Sequence, residues 1–495
     1  VGKGIQKGSQ GHEGNQRALR AGHPHASPGR PGRKPKKAEP GLANDADLIR
    51  IAGALWPDFN RYLDSVGDCR RKDRVVYKAR LILFLAILQR IMGHASNRQH
   101  DQVKHEPAFA DTIRKLTKSY PEFLPHSDTI KYLVERLKPE DLEAVRRKMV
   151  NRLLRSKRLA GMRTGAWLDR RRRYYLVAID GVHYHSSCAP IGHSTHKTHS
   201  GGRTEYMLTA LEASLVSPSG IRIPLMTQFI ENPDGEYDKQ DCELKAAKRL
   251  MNRLKAKFGR LRLVILRDGL HLCEDILKIC RQNQWQLSVT VNEKTSAFLR
   301  EAEEALDGEA GRHFTGTDPK DGRTRRVFWR NGLKHQFGST EFTLNVIRMT
   351  KGNGDKEDCH VYATTIFLHN KDEEAVRVLD EICRARWQIE EQFKGQKHHG
   401  LELEAAFGTR GCAGQNFYLI VQIADIIRTF MIHSSLFRRL QQMAHSKEIT
   451  EVIQRPMLEW YETISNFVDR FRRAVLGCKL SEINMDGWRL SLDTA

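Results

Sequence analysis

No Cys-x-x-Cys pair occurs in this chain of 495 residues, although it carries nine cysteines. Neither a zinc ribbon nor a disulfide framework is indicated, and free thiols in a reducing compartment are the simpler reading. Long apolar runs are missing too. The most apolar stretch, Ala79 to Met92, is interrupted by Arg80, Gln89 and Arg90, so it is too short and too charged to span a bilayer. No N-terminal apolar run resembles a secretory signal. Acid is in deficit: 60 Asp and Glu stand against 82 Lys and Arg, a formal charge of +22. A surplus of that size favours a polyanionic partner, nucleic acid being the commonest, over a membrane. The length allows two to four domains.

Residues 1–45 are rich in Gly, Pro, His, Lys and Arg and lack apolar periodicity, which predicts a disordered basic tail. Within it, Pro28 to Lys37 has a Gly-Arg-Pro core with basic flanks, similar to an AT-hook that enters a narrow minor groove. Residues 46–165 read as a helical DNA-binding region. One apolar helix covers Tyr77 to Met92, a second is capped by Ser127, and a third begins near Pro139. The third carries Arg146, Arg147, Lys148, Arg152, Arg155, Lys157 and Arg158. Its basic face suits phosphates or plain solvation equally well.

The pattern then changes. Tyr174 to Ile179 is a short apolar strand ending at Asp180. A hairpin joins Tyr206–Val216 to Ile221–Ile230, and a helix covers Lys239 to Phe258. A strand from Leu261 to Leu266 ends at Asp268, followed by a helix and a strand, Trp285–Val291. A hairpin meander followed by helix–strand–helix–strand matches a ribonuclease-H-like mixed α/β sheet flanked by helices. Residues 166–435 are the expected extent of this domain. It contains a β-rich insertion at about 295–367, placed before a long helix from Glu373 to His398. Residues 436–495 read as a helical C-terminal tail.

Three carboxylates stand out. Asp180 and Asp268 each end a strand and precede glycine; Glu390 lies on the late helix. Carboxylates at the C-terminal ends of neighbouring strands can converge, with a packed helix supplying a third. Such hard oxygen donors suit Mg²⁺ or Mn²⁺, two ions of which assist phosphodiester displacement. On the late helix, Arg386, Glu390, Phe393 and Lys397 share one stripe at 3.6 residues per turn. Asp180 and Asp268 are also ordinary turn residues, and Arg386 with Glu390 an ordinary i,i+4 pair.

The segment from Cys383 to Lys397 resembles the Y-x2-R-x3-E-x6-K signature of the insertion sequence four family of DDE transposases. Arg386, Glu390 and Lys397 fall on its last three positions, and Cys383 stands where the family has tyrosine. The family's other blocks, an Asp-Gly at each of two strand ends, are similar to Asp180-Gly181 and Asp268-Gly269. The likeness covers roughly residues 75 to 435. It implies a bacterial cytoplasmic, nucleoid-associated transposase that cuts the inverted repeats of a mobile element and joins them to target DNA. Asp180, Asp268 and Glu390 would be catalytic and hold two Mg²⁺ (or Mn²⁺) ions. Arg386 and Lys397, with position 383, would contact DNA phosphates. A homodimer on paired double-stranded DNA ends is implied. The rivals are a nuclease of the same fold that only hydrolyses and a domesticated DNA-binding protein without catalysis. A second cluster, His183, His185, Cys188, His193, His196 and His199, reads as a polar loop near DNA rather than a zinc site.

Overall fold

The structure, a computed structural model, describes residues 46–165, 173–232, 241–269, 272–291, 297–307, 312–352, 358–368, 372–405, 408–434, 437 and 456–477. The basic tail and AT-hook expected in residues 1–45 lie outside the described residues.

The N-terminal helical region comprises α1 (Asp47–Leu55), α2 (Phe59–Asp64), α3 (Ala79–Ile91), α4 (Asn97–Val103), α5 (Pro107–Thr117), α6 (Ser127–Val134) and α7 (Pro139–Arg155). Proline at the first position of α5 and of α7 sets the entry, where its missing N–H costs nothing. A capping box of Ser96 and Gln99 opens α4. Helix α3 is buried nearly all round, which explains its weak amphipathicity: it is a core helix.

The described strands form one 11-stranded sheet. They are β1 (Arg163–Thr164), β2 (Tyr174–Ser187), β3 (Thr195–Thr198), β4 (Thr204–Val216), β5 (Arg222–Ile230), β6 (Leu263–Asp268), β7 (Gln286–Val291), β8 (Arg312–Thr317), β9 (Thr324–Phe337), β10 (Thr340–Lys351) and β11 (Asp358–Thr364). The order is β3-β4-β2-β6-β7-β11-β10-β9-β8, with β1 beside β2 and β5 beside β4. Only β2, β6 and β7 pair in parallel; the other pairings are antiparallel. The fold is therefore mixed α/β with a mostly antiparallel sheet. The parallel trio is built from the most apolar strands: Leu176 to Ile179 and Leu263 to Leu266 are fully buried, as strands covered on both faces require.

Helices α8 (Glu243–Phe258) and α9 (Glu274–Asn283) provide the crossovers into β6 and β7. Helix α13 (Ala413–Ile432) is buried on nearly every side because it sits between layers, its few polar groups paired within the core, as Asp425 with Arg428. It packs on β5 and on α1, α3, α6 and α7, joining the N-terminal helices to the sheet in one core. A final described helix, α14 (Pro456–Gly477), packs against α1, α5 and α13. It falls within the tail read as helical; most of the remaining tail lies outside the described residues.

Three expectations need correction. The β-rich insertion begins with helix α10 (Ala297–Asp307) and is continuous with the main sheet, because β11 pairs with β7 from Ser288 to Val291. The long late helix is broken into α11 (Asp372–Glu381), a 3-10 turn Cys383–Arg386, and α12 (Trp387–His398). The break is pinned by a polar network: Arg384 reaches Asp318 at 3.0 Å and Asp380 at 3.1 Å, and Arg325 chelates Asp380 at 2.6 and 2.7 Å. Finally, Arg146 does not belong to an exposed basic face. It is fully buried between α7 and the sheet, bonded to Glu212 at 2.9 Å, Thr227 at 2.8 Å and Glu143 at 2.5 Å.

Candidate active site

Parallel pairing sets the site. Ala178 stands level with Leu266 across β2 and β6. Two residues further along each strand come Asp180 and Asp268; Asp268 ends β6, but β2 continues to Ser187, so Asp180 lies within its strand, just past the last parallel pair, and not at a strand end as the sequence suggested. Helix α12 packs on β2 and brings the third member. Arg386, closing the 3-10 turn, reaches Asp180 at 3.3 Å and Glu390 at 2.6 Å. Its guanidinium also lies 4.8 Å from the Trp387 ring. Glu390 occupies the first turn of α12, where the helix dipole favours negative charge.

The Asp180 carboxyl is pushed up to about 6, chiefly by burial. Arg386 opposes the rise, the nearby charges of Asp268 and Glu243 add to it, and the Gly181 amide, donating to Asp180 Oδ1 at 2.9 Å, opposes it. Glu243, in the first turn of α8, was not singled out from the sequence, where it reads as an ordinary acid at a helix start. Its signal is the glycine after Asp180: a Cβ on Gly181 would meet Glu243 Oε2 at 3.1 Å. The Asp-Gly dipeptide thus serves close approach as well as a turn. Arg267, also unforeseen, is fully buried beside this acidic group, with Glu243 at 3.8 Å. Burial lowers its guanidinium to about 10, while Glu243, Asp268 and Asp180 raise it.

Asp180 and Glu390 thus meet at Arg386, while Asp268 and Glu243 lie near Asp180 and the buried Arg267. Among the described residues no group of three or more His, Cys, Asp or Glu is close enough to hold a metal ion. The Arg386 guanidinium bridges Asp180 and Glu390. The donor chemistry nonetheless fits a hard divalent ion: all donors are carboxylate oxygens, and a cation would offset both the burial of the Asp180 charge and its repulsion by Asp268 and Glu243.

The remaining candidates are placed apart. Lys397 pairs with Glu404 at 2.8 Å. Cys383 is 1% exposed and accepts a hydrogen bond from Ser288 of β7 at 3.3 Å; burial pushes its thiol up to about 12. It faces the core, not a surface where a phosphate would lie. The histidine cluster lies on and around β2 and β3. His183 Nε2 lies 2.8 Å from the His185 carbonyl, His193 pairs with Glu231 at 3.4 Å, and His199 with Glu205 at 3.1 Å. Asp241 is held by Arg249 and accepts from the Cys242 amide at 3.0 Å.

Among the described residues no helix is long and apolar enough to cross a membrane. No curated protein matches the chain. Among solved structures the piggyBac transposase synaptic complex with hairpin DNA is similar over 89% of this chain and 84% of that one, at 9% identity and a TM-score of 0.36. A likeness that distant carries no argument. Residues 60–150, spanning most of the N-terminal helical region, match the family described as DDE_Tnp_1-associated.

Proposed function

We propose that this protein is a DDE transposase, which cleaves the ends of a mobile DNA element and joins them to target DNA. The observation that carries the reading is the placement of Asp180 and Asp268 level on adjacent parallel strands, with Glu390 drawn to Asp180 through Arg386. The match of residues 60–150 to a transposase-associated family supports it independently. On this reading the parallel trio with its flanking strands and helices is a ribonuclease-H-like centre, extended by β8 to β11. Residues 46–165 grip the inverted repeats, and two copies act on paired ends. The insertion sequence four family is the proposed affiliation, and the bacterial cytoplasm the proposed setting.

Asp180, Asp268 and Glu390 would hold two Mg²⁺ or Mn²⁺ ions, which supply charge neutralisation and an activated oxygen when bound. The chain's own residues do the rest. Arg386, which pairs with Asp180 and Glu390, would hold a DNA phosphate beside them through its planar fork. Glu243 and Arg267 set the charge behind the site. Lys397, paired with Glu404 and about two turns of α12 beyond Glu390, would orient the DNA backbone further out.

The test is incubation of the purified full chain with element-end DNA and Mg²⁺. Specific nicking at the end, followed by joining to a second duplex, is expected. Nicking without joining would favour the purely hydrolytic nuclease. Binding without nicking in either metal would favour the domesticated DNA-binding protein.

A further inference from the structure

A second feature lies at the opposite end of the same strands. A cleft of about 910 Å³ opens between the α8–β6 turn, the α9–β7 turn and β10. Lys255, Arg260, Arg262 and Arg281 line it, and no Asp or Glu does. All four cations are exposed, and among the described residues no ion pair engages Lys255, Arg260 or Arg281. The Arg281 guanidinium instead lies 4.2 Å from the Phe342 ring centre, which holds it in place without neutralising it. Trp285 also lines the cleft. It is 4% exposed, and its buried Nε1 has no hydrogen-bond acceptor in the structure. An orphaned buried donor of this kind calls for an acceptor from elsewhere.

Cations at helix C-termini offset the helix dipole, and that accounts for Lys255 on α8 and Arg281 on α9. It does not account for Arg260 and Arg262, which stand beyond the end of α8, or for the absence of any acid. We infer that this cleft binds the phosphate backbone of duplex DNA at a site separate from the Asp180–Glu390 centre. Arg262 precedes Asp268 by six residues along an extended path, so the two sites stand about 20 Å apart along the sheet. Duplex is favoured over single strands because the aromatic rings here, Trp285, Tyr174 and Phe342, are all buried. Sequence-tolerant binding of single strands relies on exposed rings on which bases stack. This inference rests on the transposase reading and extends it: a protein that joins two DNA segments needs purchase on more backbone than the cutting site alone provides.

The experiment uses the full chain and a scrambled duplex of about 30 base pairs, followed by fluorescence anisotropy over a salt series. Each phosphate contact contributes about 0.9 to the slope of log affinity against log salt. The triple variant Lys255→Ala/Arg260→Ala/Arg281→Ala is expected to lower that slope by about 2 to 3 and the affinity at least tenfold at ~100 mM salt. The single Arg260→Ala, at an exposed turn, is expected to lower the slope by about 1 with an unchanged melting curve. The charge-keeping Lys255→Arg/Arg260→Lys variant should bind like the parent. Parental slope and affinity in both alanine variants would overturn the cleft while leaving the transposase reading in place. A cleft-dependent preference for duplex RNA over DNA would overturn the assignment to DNA. Failure of the parent itself to bind duplex DNA would overturn the transposase reading.

Discussion

Asp180 is held between two influences that a single measurement can separate. Burial and the neighbouring charges of Asp268 and Glu243 raise its carboxyl from 3.8 to about 6, against the pull of Arg386. A folded-state value above the unfolded one means that the protonated form stabilises the fold. That contribution is complete below the unfolded value and is lost as pH rises through about 6. The metal-free protein should therefore lose melting temperature between about pH 4 and about pH 6.5, and Asp180→Asn should lose less. Mg²⁺ competes with the proton, so it should raise the parent's melting temperature more above pH 7 than at pH 5. Equal Mg²⁺ stabilisation of parent and Asp180→Asn at high pH would remove Asp180 from the ligand set. Catalysis gives the companion test. Asp180→Ala, Asp268→Ala and Glu390→Ala should each reduce end cleavage to background while DNA binding largely persists, since backbone contacts come from Lys and Arg. Glu391→Ala is the control: Glu391 is exposed and lies about 100° round α12 from Glu390, in the groove it shares with Arg222 and Asp425. Loss of cutting there, with Glu390→Ala active, would shift the register by one. Cys383 is a residue whose surroundings sequence spacing could not reveal. One helical turn before Arg386, it reads as a position that clamps a phosphate, with a buried core position as the competing reading. The broken helix turns it against Ser288. Cys383→Tyr should overpack that site, costing about 1–3 kcal/mol, and give no gain in strand transfer. A parental melting temperature together with higher joining yield would restore the clamp.

At the scale of elements, local signals were read well and long-range ones poorly. The β4–β5 hairpin, the crossover helix α8 and strands β6 and β7 appear with ends within about four residues of expectation, because turn residues and apolar runs act locally. The pairing of β11 with β7 joins residues some seventy positions apart; nothing in either strand's alternation names its neighbour, so the insertion read as separate. The break at Ile382 was hidden for a similar reason. Asp380 and Arg384 look like an ordinary helical i,i+4 pair until Asp318 and Arg325 arrive from β8 and β9. Arg146 shows the same effect across layers. On α7 it counts as one more cation in a basic run, yet its partners Glu212 and Thr227 belong to β4 and β5. Arg146→Ala would leave Glu143 and Glu212 buried without their counter-charge, a cost of about 3–5 kcal/mol. Urea denaturation should show a lower midpoint for Arg146→Ala and little change for Arg147→Ala, one position away. Equal midpoints would mean that α7 is held to the sheet by its apolar stripe alone.

For the whole molecule, charge is the property that composition made plain from the start and that local structure redistributes. Some of the basic excess is spent internally: Arg146, Arg325, Arg384 and Arg428 are buried with carboxylate partners. On the transposase reading, DNA would meet the exposed cations, including Arg260 and Arg281 of the cleft, and the sequence adds those of residues 1–45. That segment contains nine Lys and Arg against three Asp and Glu. Its contribution should therefore be general attraction to phosphate, not reading of bases. Removing residues 1–45 should weaken binding to any duplex and flatten the salt dependence, while the ratio of affinities for element-end and scrambled DNA stays within about twofold, since a contribution common to all sequences cancels in that ratio. Competition binding with both duplexes at two salt concentrations measures it directly. A collapse of the ratio would move end recognition out of the helices of residues 46–165 and into the tail. The Gly29-Arg30-Pro31 segment would then be the first place to look, because an arginine between glycine and proline can enter a narrow minor groove and distinguish A·T-rich DNA without any helix in the major groove.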